Sequence, residues 1–168
     1  MRSNDDLASW IDLSLVPGLG TKTYRTLLSA FGLPSNIRSA SRTQLARFVS
    51  DSIAGSILDD RRAPLVTAAR EWAERPGRSV VTLADPDYPQ QLLQIPDPPV
   101  LLYVTGDMRL LSAPSLAIVG SRNATQQGVT NAERFARALS EAGLTIVSGL
   151  ALGIDAAAHR GGLAGRGA

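Results

Sequence analysis

Two glycine-containing segments in the second half of the sequence carry residue types that suit phosphate binding. Gly120-Ser121-Arg122 offers backbone N–H groups, a hydroxyl and a guanidinium, which can donate two parallel hydrogen bonds to phosphate oxygens. The segment from Ser148 to Gly153 holds small and apolar residues between glycines, which leave its backbone accessible. The residues predicted to bind phosphate are Gly120, Ser121, Arg122, Ser148, Gly149 and Gly153.

Neither segment matches a common nucleotide-binding motif. The glycines do not follow the G-x-G-x-x-G spacing, and no Gly-Lys-Ser/Thr sequence is present. An ordinary strand-to-helix turn with an exposed arginine is the alternative for the first segment. Asp155 and His159 lie four residues apart and could face each other on a helix, but no nucleophile accompanies them. We therefore expect Asp155 to cap its helix, His159 to be packed or hydrogen-bonded, and the chain to lack catalytic residues.

A third candidate lies near the N-terminus, in the turn Val16-Pro17-Gly18-Leu19-Gly20. Gly18 and Gly20 permit positive φ and expose N–H groups where the next helix begins, and Lys22 adds a positive charge nearby. This pattern is similar to the helix-hairpin-helix motif of DNA-handling proteins, and it predicts a second contact with DNA phosphate through Gly18, Gly20 and Lys22. A tight turn that needs glycine for geometry alone fits the residues equally well.

Composition excludes several classes of site. The 168 residues include no cysteine and one histidine, so disulfides, cysteine-ligated metals and multi-histidine metal sites are excluded. We expect no metal and no cofactor. No apolar run reaches the roughly 18 residues of a membrane span, and the N-terminus does not read as a secretory signal, which predicts a cytoplasmic protein without membrane contact. The net charge of +2 neither favours nor excludes nucleic-acid binding.

The elements that would position these segments fall into two parts. Residues 1–76 have apolar residues at helical spacing and predict an all-helical domain, whereas residues 79–168 alternate strands with helices. In the second part, strand 115–119, helix 126–142, strand 145–148 and a helix from about 154 form a βαβ pattern. This α/β pattern predicts a parallel sheet, with the two phosphate-binding segments side by side at its carboxyl edge. Because the alternation stops early, we expect an incomplete sheet.

Several motifs in the second part together resemble a known family. These are Asp85-Pro86-Asp87-Tyr88-Pro89, Leu102–Asp107, Ala117–Arg122, and Ile146–Asp155 with Ala158-His159. Their order and spacing over residues 80 to 163 resemble the DNA-processing protein A family (DprA, also called Smf). The preceding helical region is similar to the sterile-alpha-motif-like domain that many members carry. The chain is thus identified as the N-terminal part of a member, truncated within a Rossmann-like domain.

The resemblance implies a non-catalytic protein that binds single-stranded DNA without sequence preference. Members protect incoming strands during natural transformation and help load the RecA recombinase, and the full-length family implies a homodimer. It also implies that the glycine-rich segments above line the strand-binding pocket. The runner-up is a nucleotide-handling enzyme related to phosphoribohydrolases, although their Pro-Gly-Gly-x-Gly-Thr-x-x-Glu signature is absent. A protein-binding adaptor or an inactive fragment is the third interpretation. We also expect the chain alone to be poorly stable or to associate.

Overall fold

The chain forms two compact units, one ending at Met108 and the other beginning at Arg109. The structure is a computed structural model and describes residues 4–165. The boundary predicted at 76–79 therefore marks where strands begin, and not where the first unit ends. The physical reason is that Leu83, Val100 and Leu101 pack in the core formed by the helices.

Helices make up most of the first unit. Their apolar sides meet in a core in which Leu13, Leu27 and Ile37 have no exposed surface. The capping box predicted from Ser41 and Gln44 is confirmed, since Ser41 Oγ accepts from the Gln44 N–H and the Gln44 side chain accepts from the Ser41 N–H. The helices are α1 (Asn4–Ser14), α2 (Thr21–Phe31), α3 (Pro34–Ser39), α4 (Arg42–Leu45), α5 (Asp51–Ile57) and α6 (Ala63–Ala73).

A buried ionic cluster connects three parts of this unit. The Arg62 guanidinium donates to both carboxylate oxygens of Asp12, at 2.9 and 3.1 Å, and Arg38 lies 3.2 Å from the same carboxylate. Asp12 belongs to α1, Arg38 to α3, and Arg62 immediately precedes α6. The cluster thus fixes the helices at their ends.

The buried Tyr24 phenol lies near this cluster in the same unit and donates to the Trp10 carbonyl. Burial, with a smaller contribution from the charge of Asp12, raises the pKa of this phenol.

A hairpin follows the helices within the same unit. Strands β1 (Arg78–Thr82) and β2 (Leu101–Thr105) are antiparallel, with Val80 opposite Tyr103. The segment between them contains a 3₁₀ helix, Gln90–Gln94, and the buried Tyr88, whose hydroxyl donates to the Pro99 carbonyl at 2.7 Å. The parallel sheet predicted for residues 79–168 therefore does not include this hairpin, which is antiparallel and packs on the helices.

The second unit contains the predicted βαβ pattern. After a 3₁₀ helix, Met108–Ser112, it consists of β3 (Ser115–Ala117), α7 (Gln126–Glu141), β4 (Thr145–Val147) and α8 (Ile154–Ala164). The strands are parallel, with Leu116 opposite Ile146, which confirms the predicted strand direction. Within the described residues this parallel sheet has two strands.

Small residues allow the two helices of the second unit to approach closely. A Cβ added at Gly161 of α8 would lie 2.1 Å from the Glu133 carbonyl oxygen of α7. The buried Ser140 hydroxyl donates to the Gly162 carbonyl at 2.9 Å. The core beneath them consists of Ala136, Ile146 and Ala158. This close packing fixes α8, and with it the loop that leads from β4 into α8.

Candidate functional site

The loops that follow β3 and β4 are in direct contact. The Ile154 N–H donates to the Ser121 carbonyl at 3.2 Å. A Cβ added at Gly153 would lie 2.2 Å from the same carbonyl oxygen and 2.6 Å from that of Arg122. Gly153 also has φ +78, so both the space and the backbone conformation require glycine there. The parallel strands thus bring the two predicted segments together, as their position in the βαβ pattern indicated.

Ser148 and Gly120 support the contact between the loops. The Ser148 hydroxyl donates to the Ile118 carbonyl at 2.7 Å and so joins the ends of the two strands. A Cβ added at Gly120 would lie 2.8 Å from the Ile154 side chain. Both residues therefore hold the loops against each other and against the start of α8.

Asp155 differs from its predicted role as a helix cap. The N-cap position of α8 is Gly153, which provides no side-chain cap. The buried Asp155 carboxylate instead accepts the Gly149 N–H at 3.0 Å, across the loop that precedes the helix. This corrects the expectation for Asp155 and shows that the N–H of Gly149 already has a partner. The acidic residue in the first turn was visible in the sequence, but its acceptor role depends on the loop conformation.

Ser121 and Arg122 are exposed polar residues of the first loop. Ser121 Oγ accepts the Asn123 N–H at 3.1 Å, which leaves the hydroxyl proton available to a ligand. Within residues 4–165, no carboxylate lies within ion-pair distance of Arg122, and no hydrogen bond occupies the backbone N–H groups of Ser121 and Arg122. An unpaired guanidinium, a hydroxyl and backbone donors therefore lie at the carboxyl end of β3.

The N-terminus of the helix that follows this loop adds partial positive charge to the site. Thr125 Oγ1 accepts the Gly128 N–H at 3.1 Å and caps α7, whose N-terminus carries partial positive charge. All of these groups favour an anion.

The second loop has a strained residue, Leu150, with φ +56 and an 81% exposed side chain.

Among the described residues, no hydrogen bond joins the side chains of His159 and Asp155. The Asp155 carboxylate is bound to Gly149, and the buried His159 Nε2 has no hydrogen-bond partner among the described residues. The His159 residue is half-buried, and its expected role stays a prediction. No group of three or more His, Cys, Asp or Glu residues within 4–165 could hold a metal ion. No helix in that part of the chain is long and apolar enough to span a membrane.

The turn between α1 and α2 belongs to the first unit and is a separate candidate. Gly18 has φ +79, and a Cβ added there would lie 3.6 Å from the Ile53 side chain, which is an ordinary contact distance. Gly20 has φ −68 and is the N-cap of α2, and its N–H donates to the Gly18 carbonyl. Lys22 is exposed in the first turn of that helix. Of the two glycines, Gly18 therefore has the conformation that requires glycine.

Known proteins with similar sequences place the chain in a family. A family model described as DNA recombination-mediator protein A matches residues 79–168, which is more than half of the chain. The chain belongs to this family. The match includes both loops of the candidate site and the β1–β2 hairpin that precedes them.

Curated relatives extend this similarity and show how much of them the chain covers. Protein Smf of Synechocystis is 32% identical over 163 residues, 94% of this chain and 41% of the relative. DNA processing protein DprA of Streptococcus pneumoniae is 44% identical over 91 residues, 54% of this chain and 31% of the relative. The chain thus spans less than half the length of these curated relatives.

A solved structure agrees over nearly the whole chain. The X-ray structure of DprA from Streptococcus pneumoniae matches with a TM-score of 0.71 and 28% identity. The match covers 95% of this chain and 56% of that one. The mixed helix and sheet architecture is therefore that of a DprA structure, including the helical region that the family model does not cover.

Proposed function

We propose that the loops after β3 and β4 bind the phosphodiester backbone of single-stranded DNA. Ser121 and Arg122 contact phosphate oxygens, whereas Gly120, Ser148, Gly149 and Gly153 give the loops their shape. The observation that carries this proposal is the unpaired Arg122, held beside exposed donors by the contact of Gly153 with the Ser121 and Arg122 carbonyls. Binding of this kind is mainly phosphate neutralisation and needs no base sequence.

The family and the names of its relatives support DNA as the ligand. The matching family is described as a recombination mediator, and the pneumococcal relative is named a DNA processing protein. In the whole protein we propose a non-catalytic, cytoplasmic role in DNA uptake, in which incoming strands are protected and RecA is loaded onto them. The Rossmann-like arrangement and a homodimer of the whole protein belong to the same proposal.

The turn between α1 and α2 contributes a second phosphate contact in this proposal. Gly18 holds the turn in its positive-φ conformation, Gly20 begins α2, and Lys22 supplies an exposed ammonium near the positive end of that helix. No acidic residue in the first turn of α2 offsets the partial positive charge of this helix end.

The test is fluorescence anisotropy with labelled oligo-dT over a range of salt concentrations. Arg122→Ala should weaken binding at every salt concentration. It should also make the negative slope of log affinity against log salt shallower by about 0.7, the value expected for one phosphate contact on a single strand. The matched control is Arg134→Ala, which removes another exposed arginine of the same unit.

Two results would contradict this assignment. Equal losses for Arg122→Ala and Arg134→Ala would mean that only overall charge matters. Turnover of a mononucleotide with no binding of oligo-dT would favour the nucleotide-handling enzyme. Lys22→Ala, measured alongside, tests the second contact separately. If both residues contact the same strand, the losses of binding free energy in Lys22→Ala and Arg122→Ala should add in the double variant.

A further inference from the structure

An arginine and two aromatic side chains form a cluster on the first unit, outside the candidate site. The Arg78 guanidinium carbon lies 5.2 Å from the centre of the Trp72 ring. The Tyr103 ring packs against the same indole, with centroids 5.4 Å apart and planes at 77°. These three residues are here called the Trp72 cluster; Trp72 belongs to α6, Arg78 to β1 and Tyr103 to β2.

Local backbone geometry explains why the three side chains meet. Gly77, at φ +72, turns the chain after α6, and its carbonyl accepts the Gly106 N–H at 2.8 Å. The antiparallel register pairs Arg78 with Thr105, two residues from Tyr103, so Arg78 and Tyr103 share one face of the hairpin. The cluster is therefore built on a rigid hairpin and a helix, and not on a loop.

The cluster is accessible and carries positive charge. Tyr103 is 47% exposed, and Trp72 and Arg78 are half-buried. Arg75, which is exposed, lies in the turn that leads to Arg78. Within residues 4–165, neither Arg75 nor Arg78 lies within ion-pair distance of a carboxylate. A tyrosine phenol is neutral at physiological pH, and burial raises the pKa of Tyr103 further.

We propose that the Trp72 cluster binds nucleobases of single-stranded DNA, with Tyr103 as the stacking surface and Arg75 and Arg78 facing adjacent phosphates. This inference rests on the proposed function, to which it adds a base-stacking surface on the first unit. Unpaired bases stack on aromatic rings regardless of sequence, and nearby arginines neutralise the backbone that connects them. An acidic protein segment would meet the two charges but would have no use for an exposed neutral ring.

The intrinsic tryptophans allow this surface to be observed directly. The chain has two tryptophans, and Trp10 is buried in the core of the first unit at 3% exposure. Titrating the Trp10→Phe chain with oligo-dT should therefore quench the fluorescence of Trp72 alone. Tyr103→Ala should weaken oligo-dT binding in anisotropy by about 5-fold to 150-fold, the range for loss of one stacked base. Tyr103→Phe keeps the ring and should stay within about 2-fold of the parent.

Phe48→Ala is the matched control. Phe48 is an exposed aromatic residue of the same unit at 43% exposure, packed edge-on against Phe31 with no arginine over its ring. Its replacement should leave affinity unchanged. Near-ultraviolet circular dichroism of each variant confirms folding, and Arg78→Gln serves as a second variant if Tyr103→Ala does not fold.

The outcomes separate this inference from the proposed function. Oligo-dT binding that depends on Arg122, without quenching of Trp72 and without loss in Tyr103→Ala, would overturn the inference and leave the function standing. Absence of oligo-dT binding by the parent chain would overturn both. Equal quenching by poly-glutamate at the same charge concentration would also overturn the inference, since the cluster would then respond to negative charge alone.

Discussion

The two units of the chain are stabilised by different kinds of packing. The first unit buries large side chains and an ionic cluster, whereas the core of the second consists of Ala136, Ile146 and Ala158 beneath helices in backbone contact. The second unit also leaves large apolar side chains exposed, namely Leu116, Val119, Phe135, Val147, Leu150, Leu152 and Leu163. Because hydrophobic stabilisation grows with buried apolar area, the first unit has the larger share of it.

This difference indicates what each unit tolerates. A core of large side chains loses stability when atoms are removed, and a core of glycine and alanine loses stability when atoms are added. Both tryptophans, Trp10 and Trp72, lie in the first unit, so their fluorescence follows that unit, while far-ultraviolet circular dichroism follows both. Urea unfolding with the two signals therefore tests the comparison. The expectation that the chain alone is poorly stable or associates stays a prediction.

The largest effect is expected for Asp12→Ala in the first unit. The change leaves the buried Arg62 without its carboxylate and removes one partner of Arg38. Leaving a buried charge unpaired costs about 3–5 kcal/mol of unfolding free energy. The fluorescence midpoint should fall strongly. Asp60→Ala is the control, because Asp60 is an exposed partner of Arg38 and its loss should cost much less; equal effects would show that the cluster is not a buried determinant of stability.

A smaller effect of the same direction is expected for Gly161→Ala in the second unit. Its methyl group would meet the Glu133 carbonyl and the Ala136 side chain, which costs about 1–3 kcal/mol through overpacking. Gly55→Ala in α5 is the matched control, since its added atom meets only the end of the Arg42 side chain at 3.6 Å. That control should stabilise by about 0.5–1 kcal/mol. Changes of opposite sign in the free energy of unfolding support the comparison between the two units, and changes of the same sign would contradict it.

Ser140→Ala tests the contact between α7 and α8 from the polar side. The variant loses the buried hydrogen bond to the Gly162 carbonyl, worth about 0.5–1.5 kcal/mol. The change should shift the circular dichroism transition and leave the fluorescence transition in place. Ser29→Ala is the control, because its hydroxyl makes an exposed bond to the Arg25 carbonyl within α2 and its loss should be almost neutral.

The smallest effect concerns an exposed pair of the first unit. The Arg42 guanidinium donates to both oxygens of Asp51, with Nε at 2.7 Å from Oδ1, and this hydrogen bond lowers the pKa of the Asp51 carboxyl. A lowered carboxyl pKa stabilises the fold above the unfolded pKa, and this contribution is lost as pH falls through the folded value. A nuclear magnetic resonance titration should find the Asp51 pKa below its ordinary value, and Arg42→Gln should restore it.

Short-range patterns predicted the helices and the parallel strand pair of the second unit. The spacing of strand, helix and strand between 115 and 148 was sufficient, because a crossover of that length leaves few other arrangements. The same reasoning brought Ser121 and Gly153 to one edge of the sheet, and the structure places their loops in contact. The DNA-binding roles of these residues stay predictions.

The remaining features depend on contacts between distant residues. The compact first unit extends beyond the predicted boundary at 76–79 because Val100 belongs to the same buried cluster as Leu27 and Ile37, more than sixty residues earlier in the chain. Nothing local indicated that Asp155 would accept from Gly149. The Ala-rich and Gly-rich sequence of α8 could have indicated close packing on α7, and sequence reasoning missed this signal. The Trp72 cluster brings Tyr103 to residues that are 25 or more positions away, so no window along the sequence could predict it.

Leu150 combines an unfavourable backbone conformation with a side chain that is largely exposed. Its backbone is in the left-handed region, which costs a non-glycine residue roughly 1–2 kcal/mol, and its side chain recovers little of this through packing. Glycine at this position would relax the β4–α8 loop without adding an atom. An engineer who wants a more robust chain could therefore begin at Leu150.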